Sequence, residues 1–125
     1  MKFDSSVPAE LILVIVFMMV DVLTGVLKAL KNKELSSTKA REGMYKKASF
    51  ILFVGFGYLA DFAMEYVDMG FKFPAAVTIS TLIILTEAIS VLENLGSINP
   101  DLVKIVAPFL SALNNKKDSE YNENS

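Results

Sequence analysis

ASFILFVGFGYLADFAMEYV, residues 48–67, is followed after only seven residues by AAVTISTLIILTEAISVLENL, residues 75–95, and the reading of this pair decides the fold. A helix crossing the hydrocarbon core of a bilayer needs about 20 mainly apolar residues, and these runs hold 20 and 21. The link between them, Asp68–Pro74 (DMGFKFP), offers Gly70 and Pro74 as turn material and is too short for anything but an antiparallel hairpin. A third apolar run of 22 residues, Ala9–Leu30, precedes them. Only Lys2 stands ahead of that run as a base, and no small-x-small cleavage site follows it before the next basic segment. It is therefore read as a retained span and not as a signal peptide.

Composition agrees with a membrane domain. Hydrophobic residues make up 53% of the 125-residue chain and the mean hydropathy is +0.46, against about 45–50% apolar for ordinary soluble domains. With three spans assigned, about 60 residues remain, too few for a separate soluble core. The expected architecture is all-α: one membrane domain over residues 1–113, then a polar tail over 114–125. After the third span, Asn99 is a candidate N-cap and Pro100 suits a first helical turn. Leu102, Ile105, Val106, Phe109, Leu110 and Leu113 then recur at helical spacing, predicting an interfacial amphipathic helix over 100–113 that Pro108 would kink. The tail, NNKKDSEYNENS, is charged and apolar-poor, the composition of a disordered segment.

The net charge of −2 says little, but its distribution says more. Seven of the twelve basic residues (Lys28, Lys31, Lys33, Lys39, Arg41, Lys46 and Lys47) lie between the cores of the first and second spans, against two acids, Glu34 and Glu42. Lys31–Lys47 reads as a short, partly helical loop on the membrane surface, attracted to anionic lipid. Basic short loops stay cytoplasmic, so the expected orientation is N-terminus out and C-terminus in. The chain has no cysteine and no histidine, which excludes disulfides, thiolate metal sites and His-dependent catalysis. No enzyme, cofactor or metal is expected. The basic segment is also too short and too near the spans to bind nucleic acid.

Each span carries an acid: Asp21, Asp61 and Glu87. A charge at mid-bilayer costs about 2.5–3.5 kcal/mol on insertion scales, so such residues face a bundle interior or water. Counting along the spans at about 1.5 Å per residue, Asp21 and Glu87 lie about 18 Å from the outer end, and Asp61 about 20 Å from the inner end. All three are thus expected near the midplane, as a belt of carboxyls in an oligomer. Asp21, Thr24 and Lys28 share one face, Asp61 and Glu65 another, and Ser80, Glu87, Ser90 and Asn94 a third. These are the candidate lumen-lining positions. Gly25 with Ala29, and Gly57, are candidate sites of close helix packing. In the plainer alternative, the acids are neutral or bonded to Lys28 or a threonine and only hold the bundle together.

Three blocks of sequence resemble the toxin-secretion/phage-lysis holin family (phage holin family 4). Asp21-Val-Leu-Thr24-Gly25-Val-Leu-Lys28-Ala29 is similar to its D-x-x-T-G-x-x-x-A segment. Leu35-Ser36-Ser37, Gly43 and Lys46-Lys47 are similar to its L-S-S…G…K-K loop. Glu87-Ala-Ile-Ser90-Val-Leu-Glu93-Asn94, then Gly96, Pro100 and Leu102, are similar to its closing block, with Thr86 where the family often has Asn. The resemblance covers about residues 12–110 in order. It implies a homo-oligomer in the bacterial host's cytoplasmic membrane that assembles into lesions, releasing an endolysin or toxin at a set time, with no direct contact to that enzyme needed. An antiholin or other regulatory subunit, or a small ion channel, are the alternatives.

Overall fold

The computed structural model describes residues 7–123, which form four helices: α1 (Ala9–Asn32), α2 (Ser37–Tyr66), α3 (Ala75–Ile98) and α4 (Asp101–Glu123). No strand occurs among the described residues. The first six residues of the polar lead and the last two of the tail lie outside them.

Local chemistry sets the helix ends. Glu10 stands in the first turn of α1, where the helix dipole favours an acid. At the other end Lys33 adopts a left-handed conformation (φ 55°), and the N–H of Glu34 reaches back to the carbonyl of Ala29 at 2.8 Å. This wrap satisfies terminal carbonyls that would otherwise be orphaned. Ser36 caps α2, its Oγ accepting from the N–H of Lys39 at 3.4 Å. In the α2–α3 link, Gly70 takes φ 79° and Asp68 Oδ1 accepts from its N–H at 3.0 Å, a turn that favours glycine. Asn99 Oδ1 accepts from the N–H of Asp101, as expected of a residue that starts α4.

The second helix differs from expectation. Lys39, Arg41, Lys46 and Lys47, read as part of a surface loop, lie on α2 itself, which begins eleven residues before Ala48. Only Lys33–Ser36 separates α1 from α2. The reason is local: Ser36 supplies a cap, and TKAREGMYKKA is rich in good helix formers despite Gly43. The fourth helix also runs further than Leu113. Residues 114–123, read as a disordered tail, continue it as helical backbone, and Pro108 lies within it.

The third helix is the central element, with α1 and α2 both packing on it and α4 touching its end. Val14, Met18, Val54 and Ile83 form a small common core, lined by Leu11, Phe50, Tyr58, Ile79 and Ile84. Antiparallel α2 meets α3 in one register: Asp61 against Ala75, Gly57 against Ala76, and Lys47 against Glu87. The bundle turns its large apolar side chains outward, Leu52 being 75% exposed and Leu23, Phe56, Leu59 and Phe62 all exposed. Such a surface has no soluble partner at hand and fits a lipid solvent. Three of the helices are long and apolar enough to cross a membrane. Thr78, Thr81 and Thr86, exposed on α3, each donate their hydroxyl to the carbonyl four residues back. That contact satisfies a hydroxyl where lipid offers no acceptor.

Candidate functional site

A single ammonium joins the three spanning helices. Lys47 Nζ on α2 donates to Asp21 Oδ2 on α1 at 2.6 Å and to Glu87 Oε2 on α3 at 2.8 Å. Asn94, two turns beyond Glu87, donates from Nδ2 to Asp21 Oδ1 and to Thr24 Oγ1, each at 3.1 Å. Thr24 Oγ is a further 2.9 Å from the carbonyl of Val20, to which it donates. Glu87 is 1% exposed, and Lys47 and Asp21 are 17% and 15% exposed at their side chains. Five polar side chains thus close a cluster beneath an apolar exterior. Charge pairs in such surroundings persist only when geometry and added hydrogen bonds offset the loss of water.

Asp21, Thr24, Glu87 and Asn94 were all expected to line a polar path, and the fold brings them together. Lys47 was expected elsewhere, in the surface loop. Lys28, a lumen-lining candidate and in the plainer alternative a partner for the acids, is half-buried and makes no ion pair among the described residues. The choice of Lys47 follows from the early start of α2, which carries that lysine alongside the middle of α3. A sequence signal existed: two mid-span acids required a cation, and Lys46-Lys47 directly abut the apolar run at Ala48.

Asp61 is not part of this cluster. Its Oδ1 accepts from the N–H of Ala75 at 2.7 Å and its Oδ2 from the N–H of Ala76 at 3.2 Å. Asp61 therefore caps α3 from the neighbouring helix, where both the orphan N–H groups and the dipole favour an anion. It lies fourteen positions along α2 from Lys47, about 21 Å along the axis. The three acids consequently do not share one depth. Glu65, one turn further, is exposed and flanks an open cleft with Asp61, Lys72 and Pro74. Ser80 is fully buried with no partner for its hydroxyl among the described residues, and Ser90 is half-buried.

Close packing falls at Gly57. A Cβ there would stand 2.8 Å from Ala76 Cα, whereas one at Gly25 would stand 3.6 Å from Asn94 Nδ2, an ordinary contact. Gly25 faces α3 of its own chain, and Ala29 is half-buried. Two contacts had no forerunner in the sequence. Tyr58 Oη donates to Glu10 Oε1 at 2.9 Å, tying α2 to the first turn of α1. Lys31 Nζ donates to the carbonyls of Ile98 and Ser97 at 2.5 and 3.4 Å, closing the C-terminus of α3 from α1. Of the remaining bases, Lys39 and Arg41 are exposed, and Lys46 lies 5.7 Å from the centre of the Phe50 ring.

Residues 5–115 match the bacteriophage holin family. The chain is 32% identical over 107 residues to an uncharacterised 14.9 kDa protein in the nagH 3' region of Clostridium perfringens, covering 86% of this chain and 78% of that one. It is 29% identical over 108 residues to a second uncharacterised protein, of C. perfringens strain 13 / Type A (86% and 77% covered). It is also 29% identical over 112 residues to the uncharacterised protein YqxH of Bacillus subtilis (88% and 75% covered). No solved structure matches the chain.

Proposed function

The chain belongs to the bacteriophage holin family, a family of non-enzymatic multi-pass membrane proteins, and on that premise we propose that it acts as a holin. Copies accumulate in the host cytoplasmic membrane with the N-terminus outside and the C-terminus inside. They then assemble into lesions that release a cell-wall-degrading endolysin or a toxin.

The observation that carries this reading is the Asp21–Lys47–Glu87 cluster with Asn94 and Thr24. A lone chain in lipid must pair its charged groups internally, and in the closed bundle one lysine meets both Asp21 and Glu87. In a ring of copies the same faces can turn onto water, leaving the apolar exterior to lipid. Asp21, Lys47, Glu87 and Asn94 thereby serve a closed chain and an open lumen in turn. Lys39 and Arg41, near the start of α2, anchor the inner surface to anionic lipid.

Induced expression with and without a co-expressed cytoplasmic muralytic enzyme tests the proposal. A holin arrests growth alone and releases the enzyme when both are present. Delay of another holin's lysis would identify a regulator, and depolarisation without protein release would identify a narrow channel. Either result overturns the holin reading.

A further inference from the structure

The charges of the buried cluster do not balance. Asp21 and Glu87 are two acids sharing the single ammonium of Lys47. From α1 Glu87 is faced by Asp21 and from α2 by Lys47. Lys46, next to Lys47 on α2, is exposed and forms no ion pair with either acid among the described residues, and Asn94 on α3 reaches Asp21. Fully ionised, the cluster would hold a net negative charge beneath an apolar exterior, an arrangement proteins relieve by neutralising one group.

The hydrogen bonds distinguish the two acids. Both oxygens of Asp21 receive a donor, Lys47 at Oδ2 and Asn94 at Oδ1, as a carboxylate requires. Glu87 receives Lys47 at Oε2, but its Oε1 is buried without any partner among the described residues. Both carboxyls lie within 2.8 Å of the same ammonium nitrogen. Two acids held that close together in apolar surroundings do not both stay ionised against a single cation, and such a site binds one proton.

We infer that the Asp21–Glu87 pair binds one proton, carried on Oε1 of Glu87, so that the closed bundle holds a neutral cluster of one carboxylate, one ammonium and one carboxylic acid. The proton site follows from the closed chain alone. Its use rests on the lesion reading. When copies assemble and water reaches Glu87, the proton leaves to that water and each copy gains one negative charge. A ring of like charges then draws in water and opposes reclosure.

Infrared spectroscopy tests this on the full chain in lipid bilayers at low protein density near neutral pH. The readout is the C=O stretch of protonated carboxyls, which shifts in D2O. The wild type should show the equivalent of one such group per chain. Glu87→Gln should remove it. Asp21→Asn should remove it as well, because Glu87 then pairs one-to-one with Lys47 and ionises. Lys47→Met should double it, both acids taking up protons. Absence of the band in the wild type overturns the inference without recourse to any variant. Its persistence in both Glu87→Gln and Asp21→Asn chains of unchanged helicity also overturns it, by placing the proton elsewhere. Lysis by a chain that shows no band would overturn the proton site and leave the lesion reading standing.

Discussion

Two acids in adjacent apolar stretches meet opposite fates. Asp61, on α2, accepts from the backbone amides of Ala75 and Ala76 across a tight hairpin. Its partners belong to the backbone, so α3 cannot begin where it does without offering them. Glu87, on α3, depends on a lysine forty residues away, shared with Asp21 on a third helix. The first contact holds two helices in register. The second is a side-chain arrangement that a rigid-body shift of α1 or α2 would undo. An acid within a membrane span is thus not one kind of signal. It is a structural cap where it meets a helix N-terminus and a lock between helices where it meets a long cationic side chain.

Substitutions at the two places separate these roles. Lys47→Met has the largest expected effect. It leaves two buried acids without their cation, at about 3 kcal/mol, the lower end for a broken buried pair because the acids can take up protons. Denaturing-detergent titration followed by circular dichroism should show the loss, and lysis should come early or fail. A variant with unchanged stability and timing would reduce the lock to an incidental contact.

At the hairpin, Gly57→Ala comes next. Its added methyl would meet Ala76 Cα at 2.8 Å, which is backbone and cannot step aside. Overpacking of this kind costs about 2 kcal/mol, and the same titration should register it. Asp61→Ala follows. Loss of the cap should cost about 1 kcal/mol and leave lysis timing less changed than Lys47→Met does. If Asp61→Ala instead shifts timing as strongly, the division between cap and lock fails.

The smallest effect is expected at Gly25, beside the cluster. A methyl there finds ordinary contact with Asn94, and alanine is the better helix former, so Gly25→Ala should gain about 0.5 kcal/mol. Opposite signs at Gly25 and Gly57 would confirm that close approach belongs to the hairpin. A loss at Gly25 would mean that Asn94 cannot yield and that the cluster is tighter than its distances imply.

Much of this fold could be read without coordinates. The apolar runs beginning at Ala9 and Ala75 start as α1 and α3 do, because run length and hydropathy are properties of consecutive residues. Asp21, Thr24, Glu87 and Asn94 were legible as a polar set through helical spacing. Lys47 was not. Counting apolar residues ends the second span at Ala48, while the Ser36 cap carries the helix eleven residues beyond it. For the same reason a count from Ala48 puts Asp61 at mid-span, whereas it stands level with Ala75 at the start of α3.

Consecutive residues alone mark out three segments long and apolar enough to cross a bilayer, an acid within each, and the bases gathered between the first two. Which base answers which acid depends on how the helices pack. Ion pairing depends on the register between helices, and that register is set at a distance, where Gly57 lets α2 approach Ala76 and Asp61 holds the start of α3. Those contacts carry Lys47 to the level of Glu87, and α1, packed on α3, brings Asp21 to the same ammonium.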